Sequence, residues 1–307
     1  MQNIIRRFLH PGHALAGLMR KYWYYFPNDE RYLKLIYFLE MGHRLDLDNP
    51  KLFTEKLQWL KLYDRNPEYI QMVDKITAKE YVADIIGAHY IIPTLGVWQH
   101  FDEIDFNKLP SRFVLKTNHG SGSNGIIVCK DIETFDYEYA RMKLECELCS
   151  NTYNKYREWP YKCIEPKIFA EAFLEEGGSD GSLTDYKFYC FNGKVHYCQV
   201  IKNRLSNETI DFFDMDWKHQ EFIGLNPNAV HSEVIIKKPA NFQTMMDFAG
   251  ILSKHLSFAR IDFYYTNNQV YFGEITFYPA SGLGKFTPSR YDKILGEMIE
   301  LPKNKMF

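Results

Sequence analysis

The sequence predicts an α+β fold, with a helical N-terminal region followed by two mixed subdomains. Apolar residues recur at helical spacing in 55–63 and again in 75–86. Later in the chain, β-branched and aromatic residues flank glycine or asparagine turns, a pattern typical of hairpins, in 112–129, 185–203 and 258–276. Helices at the start and paired strands afterwards are typical of α+β proteins.

The composition bounds the class of protein. The chain has 307 residues, of which 46% are hydrophobic and 25% are charged, as in a soluble globular protein of two or three packed units. Its formal net charge of −2 gives no general affinity for nucleic acid. We predict three regions: 1–70, which is helical, 71–167 and 168–307.

The N-terminal segment Met1–Phe26 mixes basic residues with apolar and aromatic ones. Two interpretations stay open, a helix packed on the body of the protein and a basic helix lying on an anionic membrane surface. No apolar run reaches the ~20 residues of a membrane span, and no signal peptide is recognisable. We predict a cytoplasmic protein, with peripheral contact at the inner face of the membrane as the alternative.

The helix over 55–63 is predicted to begin at Thr54 and to end at Asn66-Pro67. The six cysteines show no framework spacing, so reduced thiols are expected. Cys146 and Cys149 form a CxxC in a helical pattern, but no second CxxC accompanies it, which leaves zinc there as a minor alternative.

A glycine-rich loop joins two strands in FVLKTNHGSGSNGIIVCK, residues 113–130. It is not a Walker A loop, because no Gly-Lys-Ser/Thr opens a helix. Glycine allows backbone N–H groups to approach a phosphate, and Lys116 supplies positive charge. A phosphate lid and a flexible hairpin loop are both compatible with this pattern.

The second hairpin turns at Asn192-Gly193. A two-residue turn would pair Phe191 with Lys194 and Lys187 with Cys198. We expect one face to carry Asp185, Lys187, Lys202 and Arg204. Anion binding is the interpretation we favour, and we place Lys187 and Arg204 among the catalytic residues. The alternative is a solvated sheet edge.

The last hairpin, FARIDFYYTNNQVYFGEITFYPASGLG, turns near Asn267-Asn268. A three-residue loop would place Asp262 opposite Glu274 and Arg260 opposite Thr276. These four would share a face with Tyr264 and Phe272, whereas Tyr271 and Gly273 would lie on the core face. Carboxylates offer hard oxygens to Mg²⁺ and arginine offers a fork for phosphate. An ordinary surface ladder of charges is the alternative.

These segments resemble the ATP-grasp superfamily over roughly residues 71–290. The order VDKITAKEYVADIIG, FVLKTNHGSGSNGIIV, FAEAFLEE and ARIDFYYTNNQVYFGEITFYPASG matches that superfamily, and the last two look like those of D-alanine–D-alanine ligases. PKLFTEKLQWLKLYDRNP, LTDYKFYCFNGKVH and FGEITFYPASG resemble the TupA-like subgroup, the teichuronopeptide-biosynthesis type. The resemblance implies an ATP-grasp fold, with two α+β subdomains gripping the nucleotide. Residues 71–167 would be the pre-ATP and lid subdomain, and 168–307 the C-terminal subdomain with the metal site.

The resemblance also implies roles for individual residues. The phosphates would contact Lys75, Lys116, Gly120, Ser121, Gly122 and Ser123. Adenine and ribose would be held by Glu171, the backbone at Phe173 and Leu174, and Glu176 or Glu175. The metal ligands would be Asp262, Glu274 and Thr276. Arg260 would stabilise the acyl phosphate and the tetrahedral intermediate.

Thr276 departs from the superfamily pattern, which usually has asparagine two residues after the glutamate. A hydroxyl can still bind Mg²⁺ or a bound water. The number of metal ions therefore stays open.

The predicted function is an ATP-dependent carboxylate–amine ligase that uses ATP and Mg²⁺. Subgroup resemblance suggests a uronic acid of a surface polysaccharide such as a capsule, or its precursor, as one substrate. The other would be an amino acid or a small amino alcohol. No nucleic-acid partner is expected, and contact with polysaccharide assembly enzymes is an open possibility.

Three rival functions are retained. The two Asp-x-Asp pairs, Asp46–Asp48 and Asp214–Asp216, suggest a metal-dependent glycosyltransferase. A sugar kinase would share the ATP machinery. A non-catalytic scaffold of polysaccharide assembly would need no carboxylate at position 274.

Overall fold

Helices dominate the first third of the chain, and strands mixed with further helices follow, as expected. The computed structural model describes residues 11–120, 122, 124–174, 182–226 and 229–307. The helices are α1 (Pro11–Lys21), α2 (Asp29–Met41), α3 (Phe53–Tyr63), α4 (Glu68–Val73), α5 (Thr77–Ile86), α6 (Tyr137–Leu148), α7 (Thr152–Tyr156), α8 (Phe242–Leu252) and α9 (Arg290–Glu297). The strands are β1 (Thr94–Trp98), β2 (Phe113–Thr117), β3 (Ile126–Cys129), β4 (Ile168–Ala172), β5 (Asp185–Phe191), β6 (Lys194–Lys202), β7 (Thr209–Phe213), β8 (His219–Gln220), β9 (Ile223–Gly224), β10 (Phe258–Thr266), β11 (Gln269–Thr276) and β12 (Phe286–Thr287).

The strands build two main antiparallel sheets. A four-stranded sheet has the order β1-β4-β2-β3, and a six-stranded sheet has the order β11-β10-β5-β6-β7-β8. Strands β12 and β9 form a separate pair. Helix α6 packs on the smaller sheet and α8 on the larger one. The α+β prediction is therefore confirmed.

The N-terminal helices belong to the core of the larger sheet. Phe53 at the start of α3 is fully buried, and its ring meets those of Phe258 and Phe286 at 5.0 and 5.7 Å. Thr54 lies inside α3 and not at its cap, because the helix begins at Phe53. Its hydroxyl donates to Asp292 of α9 at 2.8 Å. The prediction that Thr54 begins the helix was wrong. The helix is instead fixed by a contact with the far end of the chain.

Helix α1 packs against α2 through one face, where Ala16 and Met19 are buried. Its other face exposes Leu15 and Leu18. Residues 1–10, which carry part of the predicted basic segment, lie outside the described residues. No helix in the described part of the chain has both the length and the apolar character needed to cross a membrane.

The β10–β11 hairpin turns in two residues and not in three. Asn267 and Asn268 have φ values of 51° and 61°, as a type I′ turn requires, and Thr266 pairs with Gln269. A bulge on β11 restores the expected pairing, because Gly273 is the extra residue between Phe272 and Glu274. The predicted loop length was wrong, whereas the predicted pairs Asp262–Glu274 and Arg260–Thr276 are confirmed.

The bulge also corrects two of the predicted faces. Phe272 pairs with Phe263 and is buried with it, so it lies on the core face. Tyr271 pairs with Tyr264. A Cβ added at Gly273 would lie 3.0 Å from the Asp262 carbonyl oxygen, which explains why glycine suits the bulge.

A second bulge shifts the β5–β6 hairpin. Phe191 pairs with Lys194 as predicted, but a shift between Tyr189 and Cys190 puts Lys187 opposite Gln199 and not opposite Cys198. Lys202 consequently points to the other face of the sheet, contrary to expectation, because side chains alternate along a strand.

Strand β4 begins where the predicted C-terminal subdomain begins, yet it pairs with β1 and β2 of the four-stranded sheet. This pairing favours a boundary after β4. The division into 71–167 and 168–307 stays a prediction.

Candidate functional site

Arg260 is the centre of a charged cluster on β10 and β11. Its Nε and Nη2 each donate to a different oxygen of Asp262 at 2.7 Å. Nη2 also donates to Glu274 Oε1 at 2.8 Å and to Thr276 Oγ1 at 3.1 Å. The register brought about by the Gly273 bulge therefore gathers all the predicted metal and arginine residues within one network.

The cluster continues onto the neighbouring strand β5. Lys187 Nζ donates to Asp262 Oδ2 and lies 3.3 Å from Asp185 Oδ1. Arg204 Nε lies 2.7 Å from the second oxygen of Asp185. Cations and carboxylates thus alternate across three strands, and Arg204, at 42% side-chain exposure, forms the solvent-facing end.

Arg204 reaches this face although Lys202 does not. Strand β6 ends at Lys202, and Asn203 takes a left-handed backbone with φ of 53°. Asparagine tolerates this conformation better than most residues. The turn brings Arg204 back to Asp185, an outcome that strand alternation alone does not predict.

The pKa values of Asp262 and Glu274 are shifted in opposite directions. Burial raises the pKa of Asp262 above its usual value, although Arg260 and Lys187 oppose that rise. For Glu274, burial also acts to raise the pKa, but Arg260, Lys75 and Lys187 outweigh it and lower the pKa to about 2. Glu274 is therefore held as a carboxylate at neutral pH.

The lowered pKa of Glu274 predicts an acid dependence of stability. A depressed carboxyl pKa contributes stability above the unfolded value of 4.5, and that contribution is lost as the pH falls toward about 2. In Glu274→Gln this part of the dependence should disappear. Urea unfolding of both proteins from pH 6 downward measures it. Identical slopes below pH 4.5 would contradict the assignment.

A second cluster lies on the four-stranded sheet. Glu171 on β4 is buried and forms ion pairs with Lys116 of β2 and, at 2.6 Å, with Lys79 of α5. Burial acts to raise the pKa of Glu171, but the two lysines outweigh it and lower the pKa. Sequence reasoning missed Lys79. Its position one helical turn after Lys75 is the signal that could have indicated it.

Lys75 joins the second cluster to the glycine-rich loop. Its Nζ donates to the Gly120 carbonyl, and its backbone N–H donates to Asn118 at 3.0 Å. Burial lowers the pKa of Lys75, while the nearby Glu274 carboxylate opposes that shift. Lys75 is therefore within electrostatic range of residues of both clusters, Glu274 in one and Glu171 in the other.

The remaining predicted nucleotide contacts are only partly described. Gly122 has φ of 66°, a backbone that suits glycine. Phe173 packs under the guanidinium of Arg112 at 4.0 Å, and Leu174 follows directly. Ser121, Ser123, Glu175 and Glu176 lie outside the described residues.

The loop after β11 is held by two buried residues, Lys61 and Glu158, which sequence reasoning also missed. Lys61 of α3 donates from Nζ to Gln58 Oε1 at 3.0 Å, to the Tyr156 carbonyl at 3.0 Å and to the Ser281 carbonyl at 2.8 Å. The Ser281 hydroxyl donates to Glu158 at 2.5 Å. This loop therefore depends on residues from two distant parts of the chain, α3 and the segment 156–158.

The side-chain oxygens of Asp262, Glu274 and Thr276 suit Mg²⁺, because this ion prefers oxygen ligands such as carboxylates and hydroxyls. Glu274 is the most accessible donor, at 38% side-chain exposure, and Thr276 donates to it at 3.2 Å. Both oxygens of Asp262 are engaged by Arg260, and one of them also by Lys187. Asp262 can bind a metal only if these cations exchange partners.

The Asp-x-Asp pairs serve turns. Asp46 Oδ1 accepts the backbone N–H groups of Asp48 and Asn49. Asp214 Oδ1 accepts those of Asp216 and Lys218. Hydrogen bonds of this kind are typical of Asx turns and give no indication of a sugar-nucleotide site.

Comparison with known proteins gives one family. The family model described as TupA-like ATPgrasp matches residues 55–300. A search of curated proteins finds no match.

Three solved structures are among those similar to this chain. The D-alanine–D-alanine ligase of Bacillus anthracis is 18% identical over 73% of this chain and 62% of its own, with a TM-score of 0.41. The N5-carboxyaminoimidazole synthetase of Staphylococcus aureus is 13% identical over 76% and 53%, with a TM-score of 0.43. The D-alanine–D-alanine ligase of Helicobacter pylori is 14% identical over 80% and 69%, with a TM-score of 0.42. The chain thus spans less than two thirds of the first two structures.

Proposed function

Because the chain belongs to the TupA-like ATP-grasp family, we propose that it is an ATP-dependent ligase that joins a carboxylate to an amine. The observation that carries the proposal is the position of Arg260. Its guanidinium binds Asp262 and Glu274 together, and Lys75 links this cluster to the lysines of the other sheet. Such a site combines phosphate-binding cations with carboxylates suited to Mg²⁺.

The nucleotide phosphates would be bound by Lys75, Lys79 and Lys116. Lys79 and Lys116 share one buried carboxylate, Glu171, and Lys75 donates to the Gly120 carbonyl, so positive charge is in excess among these contacts. Lys116 would give up its contact with Glu171 for a phosphate, while Lys79 keeps Glu171 paired. Adenine would lie against Glu171 and the backbone at Phe173 and Leu174.

Glu274, Thr276 and Asp262 would hold Mg²⁺. The ion would supply positive charge that offsets the phosphate oxygens. Lys187 and Arg260 would then turn from Asp262 toward the transferring group. Mg²⁺ would then neutralise Asp262, and the transferring phosphoryl group would neutralise Lys187 and Arg260. No buried charge would therefore be left unpaired.

The proposed reaction has two steps. A carboxylate oxygen of the substrate attacks the γ-phosphorus of ATP, the bond to the bridging oxygen breaks, and ADP leaves. The amine then attacks the carbonyl carbon of the acyl phosphate, losing a proton and expelling phosphate to form an amide. Arg260 would stabilise negative charge in both steps, and Arg204 would bind the substrate carboxylate at the solvent-facing end.

The proposed carboxylate is a uronic acid of a surface polysaccharide such as a capsule, or its precursor. The proposed amine is an amino acid or a small amino alcohol. A sugar kinase is the second candidate, since the same lysines and carboxylates would serve it. The turns at Asp46 and Asp214 weaken the glycosyltransferase alternative.

Contact with the inner face of a membrane or with polysaccharide assembly enzymes is proposed for α1. This helix exposes Leu15 and Leu18, and Tyr24 and Tyr25 beyond it are also exposed. Apolar and aromatic side chains beside basic residues are typical of helices that lie at a membrane interface.

The test is an activity screen with ATP, Mg²⁺, uronic-acid glycans and a panel of amines. We expect ADP and phosphate to form only when a carboxylate and an amine are both present, together with an amide detected by mass spectrometry. Glu274→Gln should lose Mg²⁺-dependent turnover. A phosphorylated sugar would establish the kinase instead, and full turnover by Glu274→Gln would exclude the proposed metal site.

A further inference from the structure

A cluster of two histidines and an aspartate lies at the far edge of the larger sheet. It consists of Asp211 on β7, His219 on β8 and His231 just after the bridge between Thr209 and Val230. One ligand atom of each side chain lies within 4.8 Å of the others. Asp211 is 2% exposed, whereas the two histidine side chains are 45% and 32% exposed. The carboxylate is thus inside and the imidazoles open to solvent.

The hydrogen bonds of the cluster fix its geometry. Asp211 Oδ1 lies 2.8 Å from His219 Nε2 and 3.1 Å from His231 Nδ1. The other oxygen, Oδ2, accepts the Ser232 backbone N–H at 3.1 Å, which orients the carboxylate. Metal bonds of about 2.0–2.1 Å at tetrahedral angles place neighbouring ligand atoms about 3.3 Å apart. Both separations from Asp211 Oδ1 are close to that value.

The second nitrogen of His231 is an independent observation that points to a metal. His231 Nε2 lies 3.4 Å from the Glu221 carbonyl oxygen. Metal-binding histidines characteristically donate their other ring N–H to a carbonyl or carboxylate, which sets the tautomer. In the metal-bound state the Nε2 proton would be directed to Glu221, and the lone pair of Nδ1, the nitrogen that faces Asp211, would bind the ion in place of the hydrogen bond to Asp211.

The sheet separates this cluster from the proposed nucleotide site. Two adjacent cross-strand rows run over β10, β5, β6 and β7: Asp262–Lys187–Gln199–Phe212 and Phe263–Tyr186–Val200–Asp211. Adjacent rows point to opposite faces. Asp211 therefore points away from Lys187 and Asp262, and the cluster is not an extension of that site.

We propose that Asp211, His219 and His231 bind a divalent transition-metal ion of the zinc type, with water completing its coordination. Two imidazoles and one carboxylate match the ligand preference of zinc and its neighbours better than that of Mg²⁺ or Ca²⁺. On binding, the proton on His219 Nε2 moves to Nδ1 through solvent, so that Nε2 becomes a ligand. The ion ties β7, β8 and the segment after Val230 together at an open sheet edge.

The test is zinc binding to the full chain, stripped with a chelator and kept in excess MgCl₂ to occupy the carboxylates of the other site. Calorimetry should show one tight Zn²⁺ per chain, and Co²⁺ should give the absorption bands of four- or five-coordinate cobalt. His219→Ala should weaken zinc binding by about 100-fold or more, since loss of a mere supporting partner costs about 10–100-fold. Zinc should raise the melting temperature of the wild type but not of the variant.

His100→Ala is the matched control, because His100 is exposed and lies beside the smaller sheet. It should bind zinc as the wild type does. Asp211→Asn keeps the shape but loses the charge, and it should also lose the ion. If wild type and His219→Ala bind zinc equally, the ion lies elsewhere, for example at Cys146 and Cys149, and the proposal is wrong. ATP binding by His219→Ala should be unchanged, which keeps this test separate from that of the proposed function.

Discussion

Arg260→Ala should lower ATP-dependent turnover by about two to three orders of magnitude, the usual cost of losing one donor to a developing negative charge. Arg260 is the residue through which Asp262, Glu274 and Thr276 are connected. In the proposed reaction its contacts strengthen in the transition state. The turnover number should therefore fall by a larger factor than ATP affinity. Steady-state kinetics and calorimetry of ATP binding measure the two quantities.

Arg260→Lys is the matched control for this prediction. Lysine keeps the positive charge beside Asp262 but cannot make two parallel hydrogen bonds to one carboxylate. It should keep most of the stability and lose much of the turnover, which separates folding from catalysis. Circular dichroism should confirm that both variants fold. Wild-type turnover in both variants would remove Arg260 from the chemistry.

Lys61→Met should lower the free energy of unfolding by about 3–5 kcal/mol, since each buried acceptor left without its donor costs about 1–3 kcal/mol and Lys61 donates to three of them. Lys61 is 0% exposed and donates to three oxygens, two of them backbone carbonyls. Burial lowers the pKa of Lys61 to about 8, and the nearby Glu158 opposes this shift. Methionine would fill the space but leave the three oxygens without their donor and remove the positive charge near Glu158. Urea unfolding measures the change.

Lys56→Met on the same helix is the control, because Lys56 donates to one carbonyl, that of Ile299, at 2.7 Å. Its loss should cost about 1 kcal/mol, as for a typical hydrogen bond. Lys61→Met combined with Glu158→Gln should be less destabilised than the sum of the two single variants. Simple additivity would show that the two residues are not coupled.

Features that depend on neighbouring residues could be predicted from the sequence. The strand ends around the glycine-rich loop and the turn at Asn192-Gly193 follow from local patterns. The cross-strand pairs Asp262–Glu274 and Arg260–Thr276 were predicted correctly only because the two-residue turn and the unforeseen bulge at Gly273 offset each other.

Features that depend on distant residues could not be predicted from the sequence. Lys79 reaches Glu171 only because α5 packs beside β4, and Lys61 meets Ser281 across 220 positions of the chain. The β5–β6 bulge places Lys202 on the face opposite to the predicted one. This bulge could not be predicted either, because bulges depend on sheet twist and packing more than on local propensity.

The bulge at Gly273 has a consequence for homologous sequences and for protein engineering. A three-residue turn without a bulge and a two-residue turn with one both place Asp262 opposite Glu274. The two forms have the same number of residues between Asp262 and Glu274, but they differ in the faces of residues 270–272, and Phe272 reaches the core face only with the two-residue turn and the bulge. An ungapped alignment of two such relatives would match the carboxylate at 274 but would mismatch the faces of residues 270–272, and loop grafts in this hairpin must exchange turn and bulge as one unit.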